Sequence, residues 1–115
     1  MNIVRHQPAK ILSGAVEANG MVFVAGTVAD KRPASVKVQT EEILGRIDAL
    51  LAQAGSHKSR IVSAQIWLAD IRTREEMNQA WLAWVDPNNL PARACVEAKL
   101  AAPDMLVEIA AIATK

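Results

Sequence analysis

Arg93, Cys95 and Glu108 are the residues of this chain whose types and spacing lend themselves to chemistry. They fall in residues 90–113, which begin Leu90-Pro91-Ala92-Arg93-Ala94-Cys95-Val96-Glu97-Ala98-Lys99. After a polar break around Pro103-Asp104 comes Met105-Leu106-Val107-Glu108-Ile109-Ala110-Ala111-Ile112-Ala113. The first segment alternates Ala94, Val96 and Ala98 with Arg93, Cys95, Glu97 and Lys99, the period-two pattern of a strand with one face on a core. The second is apolar almost throughout, which predicts a strand buried on both faces. Glu108 interrupts it, and an ionised carboxylate in such a place needs a cation, several donors or water. If the two strands are antiparallel neighbours, Arg93 lies near Glu108. The pair then reads either as a structural ion pair or as a ligand site. Cys95, on Arg93's side of the strand, either walls the same cleft or is a small apolar filler. Gly26, which ends the run Met21-Val22-Phe23-Val24-Ala25, either lets a ligand approach the backbone or permits a turn or bulge.

These residues need elements to hold them, and the rest of the sequence supplies them. Ile3-Val4-Arg5 is a short strand stopped by Pro8, with His6 a surface residue. Asn19-Gly20 between two apolar runs marks a two-residue hairpin, because both positions tolerate positive φ. Ser35 can cap a helix carrying Val36, Ile43, Leu44, Ile47, Leu50, Leu51 and Ala54 on one stripe, closed by Gly55. His57, between Ser56 and Lys58, is a solvated loop residue. Ile61-Val62-Ser63-Ala64-Gln65-Ile66-Trp67-Leu68 alternates as a strand with Val62, Ala64, Ile66 and Leu68 on one face. Thr73-Arg74-Glu75-Glu76 has the capping-box spacing and opens a second helix, buried through Met77, Ala80, Trp81 and Trp84 and stopped by Asp86-Pro87.

The 115 residues carry no repeat, linker or composition break, so residues 1–115 are expected to form a single domain. The order strand, hairpin, helix, strand, helix, two strands predicts an α+β fold: one mixed β-sheet with two helices on one face. Nothing remains to cover the other face, and an uncovered apolar face of that size predicts self-association. A hydrophobic fraction of 51% argues against disorder, and a net charge of +1 without a Lys/Arg run excludes a nucleic-acid partner held by a basic field. One cysteine and two histidines make a protein metal site improbable, and no phosphate loop or nucleophile–base pair is present. No apolar run approaches the roughly 20 residues of a membrane span. The N-terminal residues lack a signal peptide's apolar stretch. A cytoplasmic protein without cofactor or membrane partner is expected.

Pro91-Ala92-Arg93-Ala94-Cys95-Val96 followed by Val107-Glu108-Ile109 resembles the C-terminal signature of the Rid (YjgF-type) family, RutC-like branches included. That resemblance implies a chorismate-mutase-like fold, a homotrimer and ligand clefts between subunits. It also implies an activity: hydrolysis of reactive 2-enamine and 2-imine acids to 2-oxo acid and ammonia. The site residues it implies are Arg93 for the substrate carboxylate, Glu108 for the attacking water, and Gly26, Cys95 and Asn78 for the pocket. The alternative is a 2-oxo acid binding module that uses the same cleft without turnover. Active members of the family commonly carry a tyrosine near the position of Leu12 and a hydroxyl residue at that of Ala25, and this chain has neither.

Overall fold

Asn19 and Gly20 adopt φ of 52° and 74°, the paired positive values of a two-residue turn whose twist suits the strands beside it. They join β2 (Ser13–Ala18) to β3 (Met21–Thr27) in the computed structural model, which describes residues 2–115. The other strands are β1 (Val4–Pro8), β4 (Ile61–Leu68), β5 (Ala92–Glu97) and β6 (Val107–Thr114). All six form one mixed sheet in the order β1-β2-β3-β6-β4-β5. Every neighbouring pair is antiparallel except β4 and β5. Those two are joined through helix α2 (Arg74–Trp84), and a helical crossover returns the chain in the same direction.

The parallel pairing decides where the candidate residues go. β5 and β6 are not neighbours: β4 lies between them, with Ala64 beside Arg93 and Ala111, and Trp67 beside Val96 and Glu108. Arg93 and Glu108 are therefore two strands apart and three positions out of line, and they form no ion pair within the chain. β5 is an edge strand, and its faces are the reverse of the apolar expectation. Cys95 packs against the core on the helix side, whereas Val96 is 43% exposed on the other face. Arg93 shares the side of Cys95.

Helix α1 (Val36–Gln53) follows the sequence closely. Ser35 accepts from the Val38 amide at 3.2 Å, every residue of the expected stripe is buried, and Gly55 takes φ 76° at the C-terminal end. Gln39 was not foreseen as a core residue. Its amide donates to the Ala34 and Asp104 carbonyls and accepts from the Leu106 amide, tying the β5–β6 loop to the helix.

The start of α2 departs from the capping box. Thr73 makes no cap hydrogen bond, and its hydroxyl donates to the Asp70 carbonyl instead. Glu76, free of that duty, accepts from the Lys37 amide at 2.9 Å, so an α2 carboxylate satisfies an orphan donor of α1. Trp84 is only half-buried and donates to Asp48 across the helix pair. His6 is not a free surface residue, because its ring contacts Glu17. Lys115 reaches the same acid at 2.7 Å, and these two partners hold the Glu17 carboxyl below the usual range.

Both helices lie on one face of the sheet. There Val22, Val24, Ala64, Ile66, Leu68 and Val107, Ile109, Ala111, Ala113 form the core with α1 and α2. A bulge between Ile61 and Ser63 gives Ile61 the core position and leaves Val62 46% exposed, against the simple alternation. The other face carries Phe23, Ala25, Gln65, Trp67, Ala110 and Ile112, and no element among the described residues lies over it. β6 alternates buried and half-buried residues, so its second apolar row belongs to this open face. Among the described residues no helix is long and apolar enough to cross a membrane.

Candidate functional site

β5 brings its arginine to the rim of the helix face, and α2 receives it. Arg93 Nη1 donates to Asn78 Oδ1 at 2.8 Å, and the guanidinium carbon lies 5.2 Å from the centre of the Trp81 ring. Asn78 and Trp81 are three residues apart, hence neighbours on one helix face, and the crossover lays that face beside β5. Two holds on one guanidinium fix its plane, and the cation–π contact adds about 0.5–1 kcal/mol at an exposed site. Among the described residues no carboxylate pairs with Arg93. One of its five donors is used on Asn78, so it retains a free edge for an anion.

Cys95, two residues on, is half-buried beneath this rim, and burial pushes its thiol up against the opposing pull of Arg93 and Arg74. A thiol kept protonated is a poor nucleophile. Its place is as wall.

Glu108 lies on the opposite, open face, between Trp67 of β4 and the irregular part of β3. The ladder between β3 and β6 shifts register between Val24 and Thr27, and this bulge turns Gly26 over the acid. A Cβ at Gly26 would stand 2.2 Å from Glu108 Oε2. Gly26 has no left-handed φ; its lack of a side chain is what gives the carboxylate a seat. Gly26→Ala is accordingly expected to fold almost as well as wild type, because the group in its way is the end of a flexible side chain. It should displace the carboxylate and reduce any activity that depends on it by at least tenfold, about 1.4 kcal/mol. Thermal melting and turnover measured on the same sample check this.

The five sequence candidates thus form two clusters. Arg93, Asn78 and Cys95 sit at the β5 rim on the helix side, and Glu108 with Gly26 sits on the open face. Trp81, read from sequence as core only, is also the platform of the arginine. Its spacing from Asn78 was visible, but the strand that would meet that helix face was not. Among the described residues no cluster of His, Cys, Asp and Glu could hold a metal. A depression of about 600 Å³ beside the β5–β6 loop includes none of the five.

Comparison with known proteins agrees with this fold. Residues 3–115 match the family model described as Endoribonuclease L-PSP. The chain is similar to a RutC family protein of Haemophilus influenzae, 47% identical over 115 residues and 99% of each chain. It is 39% identical to the RutC family protein YoaB of Escherichia coli over 113 residues, 98% of each chain. A crystal structure of a YjgF family member from Neisseria meningitidis superposes with a TM-score of 0.96 at 42% identity, covering 100% of this chain and 96% of the other. The full-length match, the six-stranded sheet and the signature around Arg93 and Glu108 together place the chain in the Rid family, whose members carry the names RutC and YjgF.

Proposed function

We propose that this protein hydrolyses reactive enamines and imines of 2-oxo acids, in clefts that neighbouring copies of the chain build together as a homotrimer. The observation that carries the reading is the division of the site. A locked guanidinium without an anionic partner occupies one rim of the chain, and a carboxylate seated over a glycine occupies the uncovered sheet face. Neither cluster is a complete site, and a second copy covering the open face can supply the missing half while burying Phe23, Trp67 and Ile112.

Arg93 holds the substrate carboxylate in a bidentate fork. The iminium carbon is already electrophilic, so the reaction needs an oriented water and a proton acceptor rather than a covalent nucleophile. Glu108 takes a proton as water oxygen bonds to that carbon, giving a carbinolamine. Glu108 passes that proton to nitrogen and then takes the hydroxyl proton as the C–N bond breaks, so that the carbonyl forms and ammonia leaves. Gly26 keeps the acid's position open, and Cys95 and Asn78 shape the arginine side.

Ammonia release on adding purified protein to an enamine generated in situ tests the activity. Light scattering at micromolar concentration tests the assembly, with three times the 12.4 kDa chain mass expected. A stable folded monomer under those conditions overturns the shared cleft. One feature favours a second reading, a 2-oxo acid binding module without turnover: at Leu12 and Ala25 the chain lacks the hydroxyls that the family resemblance leads one to expect. A nuclease has no support in the charge pattern, since a net charge of +1 provides no track for a phosphate backbone.

A further inference from the structure

Arg93 and Asn78 stand at the edge of a hollow whose apolar remainder the carboxylate grip and the water-activating acid leave unfilled. It has a volume of about 290 Å³ and is bounded by α2 and the segment entering β5, the lower end of the about 300–1,000 Å³ of small-molecule pockets. Trp81 and Val85 form its inner side, and Leu82 and Leu90 stand at its mouth with Pro91. Leu82 is 73% exposed and Leu90 67% exposed, although each could have been polar at no cost to the core. Two large leucines flanking a hollow, with a guanidinium held at its edge by Asn78, match a molecule with a carboxylate at one end and an aliphatic chain at the other.

We infer that this hollow receives the side chain of the substrate, and that the protein selects 2-oxo and 2-imino acids with aliphatic chains of three or four carbons over pyruvate-sized ones. The inference rests on Arg93 being the carboxylate grip. With the carboxylate on the free edge of the guanidinium, a chain directed along α2 passes over Trp81 and between Leu82 and Leu90. A charged or hydroxylated chain would lose water there against Trp81, Leu82, Val85 and Leu90, while Asn78 and Arg93 at the edge are engaged with each other and with the carboxylate.

Calorimetric titration of the full chain with stable 2-oxo acids tests this: pyruvate, 2-oxobutanoate, 2-oxopentanoate and 4-methyl-2-oxopentanoate. A fully buried methylene tightens binding about fourfold. Partial burial in an open hollow should still give at least about a tenfold gain between pyruvate and the branched six-carbon acid. The double variant Leu82→Asp/Leu90→Asp changes two exposed positions, so it should fold, and the ratio between the two acids should fall to near one. Equal affinities across the wild-type series overturn the inference and leave the role of Arg93 intact. A gradient that survives in the double variant overturns this location for the chain. If no oxo acid binds, pyruvate included, the carboxylate grip itself fails and the inference falls with it.

Discussion

Glu108→Gln is expected to slow imine hydrolysis by about 10²–10⁴-fold, the usual cost of losing a positioned general base, while affinity for the 2-oxo acid product stays nearly unchanged. The two quantities separate because the two clusters do. Affinity depends on Arg93 at the β5 rim, whereas Glu108 sits two strands away on the open face. Glutamine keeps the shape and hydrogen-bonding capacity of the side chain above Gly26 but cannot take a proton from water. Folding should not suffer, since no ion pair among the described residues relies on Glu108. Single-turnover ammonia release and product titration, run on wild type and variant, measure both sides. Equal turnover in the two proteins would leave Glu108 without a catalytic role. Absence of turnover in both, with oxo-acid binding intact, would select the binding module.

The local elements were legible in the sequence; where the candidate residues would meet was not. The stripe of α1, the Asn19-Gly20 turn and the Gly55 cap are local features, and local chemistry decides them. The single sheet with helices on one face also follows from element order. The pairing of β5 is a different kind of fact. An edge strand next to β4 and a strand next to β6 give the same alternation of Arg93, Ala94, Cys95 and Val96. Only the crossover through α2 makes β5 parallel to β4 and sends Arg93 toward Trp81. The apolar pattern in β6 was similarly ambiguous. Ala110 and Ile112 read as burial within the chain, but they lie on a face that no other element among the described residues covers. The seat of Glu108 depends on a bulge in β3, and a Gly after an apolar run does not say whether it bends the strand or clears a space. The capping-box spacing at Thr73 failed because Asp70 offered that hydroxyl a carbonyl and α1 offered Glu76 a better donor.

Arg93→Lys is expected to weaken 2-oxo acid binding by about 1–3 kcal/mol, and Arg93→Ala by more. Lysine keeps the charge but brings a single ammonium on a flexible stem. It can neither present two parallel donors nor lie flat over Trp81 with one donor on Asn78. The effect should appear in binding and in kcat/KM together, since the carboxylate is held alike in substrate and transition state. Stability should change little. Removing the arginine costs an exposed cation–π contact and one exposed hydrogen bond to half-buried Asn78, together on the order of 1 kcal/mol. Asn78 and Trp81 remain solvated or packed without it. Thermal melts alongside titrations of both variants decide between ligand contact and scaffold. A variant Arg93→Ala that unfolds, while whatever fold remains binds oxo acids normally, would make Arg93 a brace between β5 and α2. Loss of binding in a protein that melts as wild type does would place the carboxylate on its free edge.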